Sequence, residues 1–239
     1  MKALTVVHLA ANALLLWLGY YWLGVGESRT SSLLWSALLA LFLATMACWV
    51  YGASFLGRSA PMATAYRTSL RHLPAILAAG LVVLLLYYLL GKWSDYSSQP
   101  AFNIASWLTL KLRRPVKPNS ILAIFNVVAW IVRWVVLPVL ALPWLASVSA
   151  RGWAGLARRL PTTGRYWIQA PVLLILAFWL PFVLLGWVPY HGSFTVEMVS
   201  FVIRLLVAYL LFTGAWLALA FLTSAGSPVF SQLKTEAKP

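Results

Sequence analysis

Two arginines lie inside runs that must otherwise dissolve in lipid: Arg133 within 121–144 and Arg204 within 198–221. An arginine at mid-bilayer costs roughly 2.5 to 3.5 kcal/mol, so each must face a partner, a cavity or a lipid headgroup. A guanidinium presents several donors in a rigid fork and keeps its charge, which suits it to carboxylate and phosphate. Helical spacing extends both positions into stripes: Asn119, Asn126 and Arg133 recur every seven residues with Trp130 beside them, and Glu197, Ser200 and Arg204 share a face. If the two stripes open on one cleft, Arg133, Arg204, Asn126 and Trp130 form an anion or lipid-phosphate site. Structural roles stay open beside it. Arg204 can snorkel or pair with Glu197, and Arg133 can stack on Trp130 or bond a neighbouring carbonyl.

Other chemistry has little to build on. The chain holds 4 acids and 3 histidines, and Glu27, Asp95, Glu197 and Glu236 never cluster, which disfavours a carboxylate dyad or a hard-metal cage. Cys48 has no second cysteine to pair with and reads as a small buried apolar residue. No nucleophile elbow supports a serine hydrolase. Thr5, His8 and Asn12 form a polar stripe on the first apolar run, better explained by packing hydrogen bonds than by proton transfer or haem ligation. The composition therefore implies no resident cofactor and no metal, and points away from an enzyme.

The elements that must position these groups follow from composition. Hydrophobic residues make up 62% of the 239 residues and charged ones 9%, and the mean hydropathy is +0.86, far outside the range of a soluble domain. Six spans are expected, at 3–23, 33–56, 73–90, 121–146, 167–188 and 198–221, and unpaired backbone in lipid makes an all-α bundle the expected fold. Nothing in these residues marks a separate soluble domain, so 1–239 reads as a single integral membrane domain. Pro138, Pro143, Pro171 and Pro181 remove backbone donors in the second half and predict irregular helices there. The first run, rich in Trp and Tyr, reads as a retained helix rather than a cleaved leader.

Charge suggests an orientation. With the amino terminus inside, Lys2, Arg58, Arg67, Arg71, Arg151, Arg158, Arg159, Arg165, Lys234 and Lys238 share the cytoplasmic face, giving a net balance of about +9 against +3 outside. Both termini are then cytoplasmic, with the basic run 111–117 as an exception. The formal charge of +14 does not point to nucleic acid, because no extramembrane segment could form a groove around a strand. Anionic headgroups are the simpler counter-charge: each Lys or Arg near such a leaflet contributes about 1 kcal/mol of attraction. Arg58, Arg67, Arg71, Arg151, Arg158, Arg159 and Arg165 are thus the expected interfacial set.

These charges fall in two comparable connectors, about 95 residues apart. One runs through Arg58-Ser59-Ala60-Pro61 and on from Arg67 to Pro74; the other through Ala150-Arg151-Gly152-Trp153 and from Arg158 to Pro171. Leu89-Leu90-Gly91 and Leu184-Leu185-Gly186 follow alike. A parallel repeat would make spans two to three equivalent to spans four to five. With these motifs the chain resembles the bacterial six-span inner-membrane proteins of the YciC-like type and related families. The resemblance covers most of the chain as topology and about forty residues as pattern. It implies a bacterial inner-membrane location and carries no catalytic residues; the tryptophan-rich helices and basic external loop depart from it.

The connection 92–118 mixes apolar anchors with basic groups and is expected to lie in the external interface. Leu108, Leu110 and Leu112 alternate with Thr109, Lys111 and Arg113, which would also suit a short strand. The 14 tryptophans and 10 tyrosines add interfacial anchors. Two functions are expected from these features. One is a non-enzymatic membrane protein that binds anionic lipid, packs as an accessory subunit, or pairs with a second copy. The other is a small transporter or lipid-handling protein holding an anion between Arg133 and Arg204.

Overall fold

The computed structural model describes residues 2–26, 29–57, 60–157, 162–187 and 193–224. Nine α-helices follow one another among them: α1 (Lys2–Leu23), α2 (Thr30–Leu56), α3 (Met62–Arg71), α4 (Leu73–Tyr96), α5 (Ser98–Leu112), α6 (Pro118–Ile131), α7 (Leu137–Arg151), α8 (Gly164–Gly186) and α9 (Phe194–Ser224). A π-helical turn, Val132–Val136, joins α6 to α7, and a 3-10 turn, Gly152–Gly155, follows α7. No strand occurs among the described residues. Among the described residues six helical stretches are long and apolar enough to cross a membrane: Ala3–Leu23, Thr30–Leu56, Leu73–Trp93, Pro118–Gly155, Gly164–Gly186 and Phe194–Ser224. The protein is an all-α integral membrane protein.

The helices outrun the apolar windows because local chemistry extends them. Ser32 accepts from the Arg29 N–H at 3.2 Å and donates to the Arg29 carbonyl at 2.7 Å, so α2 starts three residues before the expected span. The fourth span runs on as Pro118–Gly155, opened by Pro118 in the first helical position, where no N–H is needed. Its π turn has a local cause. Pro138 has no N–H for the Trp134 carbonyl and would crowd it, and just before it the Leu137 N–H bonds five residues back, to Val132. Pro143, Pro171 and Pro181 also lie inside helices.

The chain divides into two compact units, Met1–Gly80 with Leu142–Pro239, and Leu81–Ala141. In the first, α8 packs on α9, and α2 meets α1, α3 and α9. Ala53, Ala65, Ala146, Ala170 and Ala220 are buried, small residues that let backbones approach where lipid supplies no hydrophobic drive. Indoles then tie helices together. Trp22 Nε1 donates to the Ser36 carbonyl and hydroxyl, both at 3.0 Å, and Trp216 Nε1 to Ser54 Oγ at 2.9 Å.

A polar seam links α1, α2 and α9. Asn12 Nδ2 donates to the His8 carbonyl at 2.8 Å, Tyr51 donates to Asn12 Oδ1 at 2.6 Å, and the Tyr209 hydroxyl donates to the Leu9 carbonyl. The stripe at His8 and Asn12 is therefore a packing device, as its residue types suggest. The hydrogen bonds belong to Asn12, however; the His8 ring is fully buried edge-on to Tyr51, and neither of its nitrogens has a hydrogen-bond partner among the described residues. Tyr51→Phe leaves Asn12 Oδ1 without that donor and is expected to cost about 0.6–2 kcal/mol. A thermal midpoint in detergent equal to wild type would show that the seam contributes nothing.

In the second unit α5 packs on α6. The alternating leucines of 108–112 are helical, not extended. Ala101 and Ala105 give α5 a small buried face four residues apart, and Pro100 sits in its first turn, where it costs no helical hydrogen bond. Thr109 closes the far end: its hydroxyl donates to the Ala105 carbonyl at 2.8 Å and accepts from the Val116 N–H at 3.0 Å. Arg113 then leaves the helix at φ 51°, a left-handed cap unusual for a residue with a Cβ. Lys92 and Lys111 each lie over the ring one turn earlier, Tyr88 at 5.8 Å and Trp107 at 4.8 Å.

Candidate functional site

Arg204 is held within its own unit. Its Nε donates to the Ser200 carbonyl at 3.1 Å and its Nη1 to the Leu184 carbonyl at 3.3 Å, with the guanidinium over the rings of Trp187 and Phe201. Leu184 lies in the last turn of α8, where carbonyls have no helical N–H to accept. A cation there also complements the negative end of the helix dipole. Pairing with Glu197 does not occur: that side chain is exposed, and Arg204 turns toward α8 instead. A shallow cleft of about 410 Å³ beside Arg204 is lined by α9 alone, from Thr195 to Arg204.

Arg133 differs. It sits on the π turn, exposed, with its guanidinium 5.7 Å from the ring of Trp134, not of Trp130. Trp134 in turn lies against Tyr87 of α4, ring centroids 6.0 Å apart. The Arg133 guanidinium makes no hydrogen bond or ion pair with another described residue. Asn119, Asn126 and Trp130 are exposed on the same helix. Arg133 and Arg204 belong to different compact units.

The basic set has a third geometry. Trp49 Nε1 donates to the Tyr66 carbonyl at 2.8 Å, and Ser69 Oγ donates to the Trp49 carbonyl at 2.8 Å, so α3 is clasped against α2 by two bonds of opposite direction. Ala65 and Ser69 face inward, while Met62, Arg67, Leu70 and Arg71 are exposed. This is the pattern of a short interfacial helix. Burial holds the Tyr66 phenol above the ordinary tyrosine pKa, and its oxygen has no hydrogen-bond partner among the described residues.

In the second connector Gly152–Gly155 forms a 3-10 turn, and residues 158–161, which fall opposite α3 at the 95-residue offset, lie outside the described residues. The matched Leu-Leu-Gly endings diverge: α8 stops at Gly186, but α4 continues through Gly91 to Tyr96. Arg58, Arg158 and Arg159 lie outside the described residues, as do Glu27, His191, Lys234, Glu236 and Lys238. Arg165 is exposed in the first turn of α8.

What sequence spacing did not reveal is that Arg71 and Arg151 line one cleft. About 320 Å³ in volume, it is bounded by Arg71, His72 and Pro74 at the α3–α4 junction and by Arg151, Gly152 and Trp153 after α7. His72 Nδ1 donates to the Ser149 carbonyl at 2.9 Å, since a carbonyl can only accept, and joins the two walls. Gly152 has φ 60°, and a Cβ there would stand 3.0 Å from the His72 ring. Cys48 packs nearby against the cluster of Ala75, Ile76, Ala79 and Val148, the apolar role its surroundings suggest.

Among the described residues no three of His, Cys, Asp and Glu gather closely enough to hold a metal ion. No protein-family model matches the chain, and neither a curated protein nor a solved structure is found to be similar to it.

Proposed function

We propose that this is a non-enzymatic integral membrane protein that binds anionic lipid through its basic face, which lies in the cytoplasmic interface of a bacterial inner membrane. The observation that carries the reading is the clasped helix α3. Its orientation is fixed by Trp49 and Ser69, and it shows Arg67 and Arg71 beside Met62 and Leu70. Apolar side chains that enter the headgroup boundary, flanked by cations at the same level, are what an anionic leaflet holds. The likeness to YciC-like proteins is consistent with this as a shared topology. Packing as an accessory subunit beside a partner helix is compatible with the same membrane placement.

Arg67→Gln/Arg71→Gln tests it. With about 1 kcal/mol per cation at an anionic surface, and two cations removed, retention of anionic lipid by the purified protein should fall about thirtyfold. Unchanged retention would remove the case for α3 as the lipid-binding element.

A second reading rests on Arg133, exposed on a π turn and engaged by one aromatic face. It supports a small transporter or lipid-handling protein with an anion site at Arg133, Asn126 and Trp130. Arg133→Gln should then abolish anion flux in proteoliposomes, and flux equal to wild type would exclude the reading.

A further inference from the structure

The cleft shared by Arg71 and Arg151 is more specific than a basic surface. An arginine in a last helical turn ordinarily serves its own helix's carbonyls. Arg71 ends α3 and Arg151 ends α7, yet neither guanidinium makes a hydrogen bond or ion pair with another described residue. Two guanidinium groups lining one cavity repel unless an anion lies between them. Its walls are set in advance by the His72–Ser149 bond, by Gly152 and by the Trp144 indole, which donates to the Leu156 carbonyl at 3.0 Å. A preformed cavity spares a ligand the cost of ordering it.

Size and rim narrow the ligand. About 320 Å³ is at the small end of ligand pockets, ~300–1,000 Å³, enough for a headgroup but not for acyl chains. Trp153, 62% exposed, stands at the rim, an amphipathic ring of the kind that sits at headgroup level. The geometry points to a discrete phosphate site in which Arg71 and Arg151 grip one phosphomonoester, the exposed phosphate of a lipid such as phosphatidate. A monoester presents about −1.5 to −2 charge and three acceptor oxygens; a phosphodiester headgroup offers a single charge. This inference rests on the lipid-binding reading of the basic face and deepens it.

The test uses the full-length protein in phosphatidylcholine vesicles doped with equal fractions of phosphatidate or phosphatidylglycerol, with bound lipid counted by native mass spectrometry. Wild type should favour phosphatidate on the order of tenfold, the worth of about one further charge-assisted hydrogen bond. Arg71→Gln/Arg151→Gln should abolish the preference. Arg71→Lys/Arg151→Lys, which keeps the charge and so guards against a folding artefact, should reduce it by losing the fork. Arg67→Gln/Arg165→Gln should lower both lipids alike and leave the preference intact. Displacement of phosphatidate by inorganic phosphate would assign the cleft to free phosphate, and its persistence to the lipid headgroup. Equal losses of both lipids in both glutamine doubles would overturn the cleft and leave the basic face standing. If wild type retains no anionic lipid above phosphatidylcholine, the face and the cleft fall together.

Discussion

Gly155→Ala is expected to be among the most damaging additions of a single methyl to this protein. A Cβ at Gly155 would stand 2.4 Å from the Ser147 carbonyl oxygen, 2.6 Å from its carbon and 2.7 Å from Val148 Cα. All three are backbone atoms of α7, so no rotamer change can relieve the overlap. Overpacking of a tight interior costs about 1–3 kcal/mol, and a rigid obstacle places this site at or above the upper end. The 3-10 turn would have to move, and with it Gly152, Trp153 and the cleft wall. Two alanine controls set the scale. At Gly52 a Cβ meets the side chains of Ser69 at 2.6 Å and Ile76 at 2.9 Å, which can partly yield, and at Gly80 only Cys48 Sγ at 3.7 Å. Thermal midpoints should fall in the order Gly155, Gly52, Gly80, the first by far the most. Equal midpoints for Gly155→Ala and Gly80→Ala would refute the packing described at the end of α7.

Arg204→Met is the second large effect. The substitution fills a similar length with apolar atoms but leaves the Leu184 carbonyl without its charged donor at the end of α8. Hydrogen bonds to charged groups are worth about 1.5–3 kcal/mol, and a loss in that range is expected. Arg204→Lys should recover part of it, since a point cation still complements the helix end but does not span both Ser200 and Leu184. Lipid retention should be unaffected in both, because these donors face inward. A variant of unchanged midpoint that lost anion handling would instead place Arg204 in a binding site.

The six spans were legible because lipid leaves the backbone few choices, and long apolar windows state that constraint directly. The extensions were not. Whether α2 begins at Thr30 depends on Ser32, and whether 108–112 continues a helix or forms a short strand depends on Ala101, Ala105 and Thr109 finding partners. Pro138 did announce irregularity in the fourth span, though not that it would take the form of a π turn carrying Arg133. The matched Leu-Leu-Gly endings of the proposed repeat reflected shared composition and not a shared helix end: α8 stops at Gly186, and α4 runs through Gly91 to Tyr96.

For the candidate site, residue type was informative and partnership was not. Arg133 and Arg204 looked equivalent as costly intramembrane cations. Their difference comes from a carbonyl twenty residues before Arg204, exposed only when α8 ends at Gly186. Arg71 and Arg151 were legible singly as interfacial charges. Their common cleft depends on His72 reaching Ser149, 77 residues away in sequence, a contact that no local spacing encodes. Gly152, left-handed in the structure, permits the close approach to His72 there.

The most direct measurement is the headgroup composition of lipid that co-purifies with the wild-type protein, compared with the membrane from which it is extracted. Anionic headgroups should be enriched over the bulk membrane, and the enrichment should fall when Arg67 and Arg71 are both glutamine. A bound fraction with the composition of the bulk membrane, or no retained lipid at all, would contradict the account.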